Sequence, residues 1–250
     1  MIKLSRTGSL DFEKLRILVI DDEAFSRNLF KEAMSNLGAR EVRTARDGFE
    51  ALSVMREATR SFDVVISDYR MPEMDGLELL KEIRVGTRGV NRDTIFAILT
   101  GQPEKHICSV AFMLDVDFFV TKPASAITIK DRLAKIITSD RIMRSPLDYE
   151  EISTEIATGP GSAISNEGIN LPRSLIDDEG NQLVVHNVTT VNEGAVLGQD
   201  LFTSTGELII QSGQVLTAQL IARLRSLAEV DDGTRQIVIR ATASDDAAEA

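Results

Sequence analysis

The stretch "VVISDYRMPEMDG", residues 64–76, decides the fold. An apolar run of strand length ends abruptly on Asp68 and then turns through Pro72 and Gly76. A short run that is apolar throughout and bounded by turn residues reads as a strand buried on both faces, as in a parallel sheet. An acid on the last residue of such a strand is delivered somewhere. In open parallel sheets the ligand crevice lies beyond the carboxyl ends of the strands, so Asp68 is aimed at that crevice.

The pattern repeats on either side. "RILVID" (16–21), "EVRTA" (41–45), "TIFAILT" (94–100) and "DFFVTKP" (117–123) read as strands. Between them "AFSRNLFKEAMSNLG", "DGFEALSVMREA", "GLELLKEIR" and "EKHICSVAFMLD" carry helical spacing, with Asp47 placed as an N-cap. "ASAITIKDRLAKIITSD" is a last helix with Ile129, Leu133, Ile136 and Ile137 on one face. Five strand–helix units over residues 14–142 predict an α/β domain: a doubly wound, five-stranded parallel sheet with right-handed crossovers. After residue 142 the pattern fades. Residues 143–182 are rich in Ser, Gly, Pro and acids and read as a flexible acidic linker, with a short helix around 150–156. Residues 183–242 read as a small β-rich module with one helix capped by Thr217, its stripe Leu220, Ile221, Leu224 and Leu227 forming a core face. Residues 243–250 read as a disordered tail.

Composition narrows the function. The net charge is −11, with 43% hydrophobic residues, no Trp and one cysteine, Cys108. A disulfide framework is excluded, and a reducing compartment fits. The N-terminal residues lack the apolar core of a signal peptide, and no apolar run approaches the ~18 residues of a membrane span. A soluble, cytoplasmic protein without membrane insertion is expected. Residues 1–142 balance 22 basic against 22 acidic side chains, whereas residues 143–250 hold 6 arginines, no lysine and 17 acids. Nucleic-acid affinity depends on neutralising phosphates, so this half is badly equipped for it. Cys108, His106 and His186 show no metal-ligand spacing. "RVGTRGVNRD", residues 84–93, reads as a solvated basic patch able to aid partner docking.

In the sheet so predicted, Asp21, Asp22, Glu23, Asp68, Thr100 and Lys122 all fall at strand ends and converge on one rim. Carboxylates crowded together resist full ionisation, and Mg2+ relieves that, since it favours one or two carboxylates with waters and phosphate oxygens. Lys122 adds a positive charge and Thr100 a hydrogen bond. Metal, lysine and hydroxyl around a carboxylate make a phosphoryl-transfer site, with Asp68 as the covalent nucleophile. The plainer reading of Asp21 and Asp22 is as acids at a helix N-terminus, and of Phe119 as core packing.

The motifs "ILVIDDE", "DYRMPEMDG", "LTG" after the fourth strand and "DFFVTKP", in that order, resemble a CheY-like response-regulator receiver domain of two-component signalling. The resemblance implies a flavodoxin-like fold with Asp68 as phosphoacceptor. Asp22 would ligate Mg2+ directly, Asp21 would act beside it through water, and the Arg70 carbonyl would complete the protein ligands. Lys122 would pair with a phosphoryl oxygen, Thr100 would move toward it, and Phe119 would fill the inward pocket of the switch. Pro123 would follow a cis peptide, and Arg70 and Gln102 would tune phosphoryl lifetime. The phosphoryl donor would be a histidine kinase or histidine phosphotransfer protein.

"GAVLGQDLFTSTGELIIQSGQVLTAQLIARLRSL" is similar to the region preceding HD-GYP domains, but no histidine–aspartate cluster follows. No separate catalytic domain is expected, so the chain is read as a non-enzyme. The module reads as an interaction or self-association element for an unknown downstream protein. The expected function is a phosphorylation switch acting through a non-DNA-binding C-terminal module. The alternative is an unphosphorylated receiver-fold scaffold with a constitutive binding role.

Overall fold

The computed structural model describes residues 11–101, 105–123, 125–137, 143–154, 177, 181–203, 208–229 and 232–241. The elements in chain order are β1 (Arg16–Ile20), α1 (Ala24–Asn36), β2 (Glu41–Ala45), α2 (Gly48–Glu57), β3 (Val64–Asp68) and α3 (Gly76–Val85). Then come β4 (Ile95–Thr100), α4 (Lys105–Met113), β5 (Phe118–Thr121), α5 (Ala126–Ile137) and α6 (Pro146–Glu150). The rest is β6 (Leu183–Asn187), β7 (Leu201–Phe202), β8 (Leu208–Ile210), α7 (Ala218–Ala228) and β9 (Gln236–Arg240). The chain divides into two compact units, one of Met1–Pro103 with Met113–Glu155, the other of Glu104–Phe112 with Ile156–Ala250.

In the first unit the sheet order is β2-β1-β3-β4-β5, parallel throughout, with Ile17 opposite Val64, Val64 opposite Ile95 and Ala97 opposite Phe118. This is the doubly wound parallel sheet that the alternating pattern predicts. Ile17, Val19, Ile66, Leu99 and Val120 pack with Phe30 and Met34 of α1 and Ile129 and Leu133 of α5. Strand alternation turns Leu18, Ile20, Val65 and Ile98 to the other face, and all four are fully buried. There α2 and α3, packed on each other, add Ala51, Met55, Leu77 and Leu80. Local chemistry sets the helix ends. Asp47 accepts from the Glu50 amide at 2.8 Å. Asp75 and Glu78 form a capping box on α3, which stops at Gly86 in the left-handed region (φ 81°).

Two segments depart from the sequence reading. Arg84, read as part of a solvated basic loop, is fully buried. Its guanidinium pairs with Asp117 at 2.9 Å and donates to the carbonyls of Arg92, Thr94 and Asp115. Residues 143–154, read as the start of a flexible linker, are folded into the first unit. The short helix begins at Pro146 rather than near residue 150, behind a Ser145–Asp148 capping box. It packs on α3, where Lys81 donates to the carbonyls of Glu150 (2.9 Å) and Ile152 (2.7 Å). Tyr149 is its anchor: the ring is fully buried and the hydroxyl donates to Asp115 at 2.5 Å. Arg144 donates to the Met113 carbonyl at 2.6 Å and to Asp115 at 3.2 Å. Composition alone hid this strap, because one aromatic residue and bonds to carbonyls hold it.

Burial, reinforced by the hydrogen bond and charge of Asp115, pushes the Tyr149 hydroxyl up to about 12. Between its ordinary value near 10 and 12, the folded chain therefore holds a proton that the unfolded chain has released. The neutral hydroxyl stabilises the fold fully below pH 10, and that contribution is lost as pH rises toward 12. Tyr149→Phe is expected to flatten the fall in stability over this window by up to about 1.4 kcal/mol per pH unit, read from urea midpoints at stepped pH. Equal slopes for both proteins would contradict the assignment.

In the second unit, β6 pairs antiparallel with β9 (Val185 opposite Val238), and β7 with β8. Thr217 caps α7 by accepting from the Leu220 amide at 3.2 Å. Of the predicted stripe, helix α7 buries Ile221, Leu224 and Leu227 and leaves Leu220 half-buried, and it also buries Gln219, Arg223 and Ser226. Arg223 lies over the Phe112 ring of α4 at 4.2 Å and donates to the Phe112 carbonyl. Residues 104–112 thus group with the C-terminal module, although the alternation of strands and helices assigns them to the 14–142 domain. Most of the expected linker (155–176 and 178–180), residues 204–207 and 230–231, and all of 242–250 lie outside the described residues. Among the described residues no helix is long and apolar enough to cross a membrane.

Candidate functional site

Because β1, β3, β4 and β5 run parallel and in register, their carboxyl ends share one edge. Backbone hydrogen bonds carry the ladder to the last positions: Asp21 to Ala45 (3.3 Å), Tyr69 to Leu99 (3.0 Å) and Lys122 to Thr100 (2.8 Å). Asp21 and Asp22 follow β1, Asp68 ends β3, Thr100 ends β4 and Lys122 follows β5.

The side chains meet there. The Lys122 ammonium lies 2.9 Å from Asp21 Oδ2 and 3.1 Å from Asp68 Oδ1. Asp21 is almost wholly buried and accepts from the Glu23 amide (2.9 Å) and the Ser26 hydroxyl (2.6 Å). Asp68 Oδ1 also accepts from the Tyr69 amide at 3.0 Å. Carboxylate oxygens of Asp21, Asp22 and Asp68 lie within 4.8 Å of one another. The position at the start of α1 that the plainer reading gave to Asp21 and Asp22 belongs to Glu23, which makes no side-chain cap bond.

Electrostatics separate the roles. Burial raises the Asp68 carboxyl above its ordinary value; Lys122 opposes this, and Asp21 adds to it. Burial pulls Lys122 down, but its bonds and charge contacts with Asp21 and Asp68 outweigh that, so its affinity for the proton rises and it stays an ammonium. One ammonium, paired with Asp21 and Asp68, stands in a cluster of three carboxylates. A hard, all-oxygen donor set with this excess of negative charge fits a small divalent cation such as Mg2+.

Thr100 is buried at the same edge, opposite Thr121. Phe119 points inward at 2% exposure, its carbonyl accepting from Arg132 at 2.7 Å. Arg70 stands in the loop two residues past Asp68. The Lys122–Pro123 peptide is cis. Gln102 and the His106 side chain lie outside the described residues. Cys108 is buried in α4, and among the described residues the only cluster of three potential metal ligands is the aspartate trio.

Sequence reasoning missed three supporting residues. Ser26 and Arg27 sit on the first turn of α1 and hold Asp21 by its carboxylate and by its carbonyl (2.6 Å for Arg27). Gly76 passes so close to the acceptor loop that a Cβ there would lie 2.6 Å from the Asp68 carbonyl oxygen and 3.1 Å from Tyr69 Cα. Both neighbours are backbone, so neither gives way cheaply. Gly76→Ala is expected to cost about 1–3 kcal/mol, seen as a lowered urea midpoint. An unchanged midpoint would mean that the loop shifts without strain.

Comparison with known proteins places these residues in context. Residues 17–134 match the family model described as "Response regulator receiver domain". A probable chemotaxis protein CheY of Rhizobium etli is 33% identical over 111 residues, covering 44% of this chain and 83% of that protein. Chemotaxis protein CheY-3 of Vibrio cholerae is 30% identical over 124 residues, 50% of this chain and 92% of its own length. Among solved structures, the chemotaxis response regulator CheY4 of Vibrio cholerae is 29% identical with a TM-score of 0.42, covering 48% of this chain and 95% of that one.

Proposed function

The chain belongs to the response regulator receiver family, and from that premise of two-component, phosphorelay signalling we propose that Asp68 is its phosphoacceptor. The observation that carries this reading is the Lys122 ammonium held between Asp21 and Asp68 at 2.9 and 3.1 Å, beside a third carboxylate.

In the proposed reaction an Asp68 carboxylate oxygen attacks the phosphorus of a phosphohistidine on a histidine kinase or phosphotransfer protein. A P–O bond forms and the donor's P–N bond breaks. The electron pair leaves with the donor imidazole, and Asp68 becomes an acyl phosphate. Mg2+, held by Asp21, Asp22, Asp68 and the Arg70 carbonyl, would supply charge neutralisation to the phosphoryl oxygens. Lys122 pairs with one phosphoryl oxygen and Thr100 donates a hydrogen bond to another. This is positioning and electrostatics rather than new covalent chemistry on the protein's side. Phe119, already inward, fills the switch pocket. A preference of a few kcal/mol between two states is enough for such a switch.

The output is a protein contact, in a cytoplasmic setting. With 6 arginines against 17 acids over residues 143–250, the C-terminal half is a poor match for DNA. The reading is tested by incubating the full chain with acetyl phosphate and Mg2+ and separating it on a phosphate-affinity gel beside Asp68→Ala. The wild-type band is expected to shift and the variant band to stay. A wild-type band that never shifts would leave the constitutive scaffold as the better account.

A further inference from the structure

We propose that the cleft between α2 and the turn at residues 86–89 docks a protein segment that presents a bulky apolar side chain flanked by carboxylates. The cleft encloses about 270 Å3. Its floor is apolar: Phe49 and Leu52 from one face of α2, and Met74 from the loop that follows Asp68. Met74 fills the space that Gly48 leaves open, where an added Cβ would lie only 2.4 Å from Met74 Cγ. Phe49 stands 54% exposed, a large aromatic surface without cover.

The mouth is cationic. Arg56 and Arg88 both line it, and among the described residues neither forms an ion pair; Arg56 donates only to the Leu52 carbonyl of its own helix, at 3.2 Å. Glu82 is the single acid in the lining and pairs with neither arginine. Arg88 is also set in the left-handed region (φ 55°), between Gly86 (φ 81°) and Gly89 (φ 84°). Glycine would occupy that backbone more easily. An unfavourable backbone held at a cleft is a pointer to use, and what arginine adds there is a guanidinium at the mouth.

These features select the occupant. The volume falls just below the ~300–1,000 Å3 of small-molecule pockets, and it suits a bulky side chain entering from a chain that continues outside. An apolar floor under two unpaired guanidinium groups is complementary to an apolar residue with acidic neighbours. This cleft is separate from the phosphoryl rim, and the proposal does not depend on Asp68 being phosphorylated.

The test uses the full chain, 15N-labelled, and three short capped peptides: glutamate alternating with leucine, lysine alternating with leucine, and glutamate alternating with serine. The glutamate–leucine peptide is expected to shift the amides of Phe49, Met74 and residues 86–89, and the other two to leave them in place. Arg88→Gly keeps the left-handed backbone and removes the charge, so it is expected to fold and to bind about tenfold more weakly. The proposal is overturned if the glutamate–leucine peptide shifts nothing or shifts amides elsewhere, if either control peptide acts equally, or if Arg88→Gly binds as tightly as wild type. Shifts of the same amides on concentrating the free chain would assign the cleft to a second copy instead and likewise overturn it.

Discussion

Lys122→Met is expected to slow phosphoryl uptake by Asp68 from acetyl phosphate by about 10²- to 10³-fold. The ammonium is shared between two carboxylates, one of them almost wholly buried. Methionine keeps the apolar stem and removes the charge. Asp21 and Asp68 then face each other without that compensation, and an incoming phosphoryl group meets net negative charge. The partly neutralised, pre-positioned environment on which this chemistry depends is lost. A time course on a phosphate-affinity gel measures the effect. Uptake at the wild-type rate would remove Lys122 from the reaction and leave it a structural tie.

Arg84→Met is expected to cost about 3–5 kcal/mol of stability, the largest loss foreseen for any single substitution considered. Arg84 has no exposed surface, and its salt bridge to Asp117 is buried on both sides. Three backbone carbonyls, of Arg92, Thr94 and Asp115, also accept from it. Without the guanidinium, Asp117 still accepts from the Phe96 amide at 2.8 Å but loses the buried positive charge 2.9 Å from its Oδ2. Adding Asp117→Asn is expected to recover part of the loss, because the stranded charge goes with it. Urea denaturation reads both. A loss below about 1 kcal/mol for Arg84→Met would place it among exposed ion pairs and contradict the buried network.

Much of the first unit was legible because parallel strands buried on both faces read as near-continuous apolar runs. "RILVI", "VVIS" and "IFAIL" announce themselves that way. The rim was legible for the same reason: Asp21, Asp68 and Lys122 break those runs at their carboxyl ends. What stayed hidden shares a different cause. Arg84, Arg144 and Lys81 act through backbone carbonyls, which every residue carries, so the acceptor leaves no mark in the sequence. Arg84 therefore looked like the first charge of a solvated loop. The α6 strap hangs on Tyr149 in an otherwise acidic, low-periodicity stretch. Among the described residues α4 meets the C-terminal module where Arg223 stacks over Phe112 and donates to its carbonyl, a contact that leaves no periodic mark in the sequence. Gly76 reads as an ordinary turn glycine until the closeness of the Asp68 carbonyl is known.

The central claim is that one rim holds a divalent cation and a phosphoryl group on Asp68 together. Beryllofluoride, a stable mimic of a phosphoryl group on a carboxylate, tests this without a kinase. Fluorine NMR of the full chain is predicted to show bound beryllofluoride only when Mg2+ is present, and none in Asp68→Ala. Bound signal that persists in Asp68→Ala, or that forms equally well without Mg2+, would contradict the account.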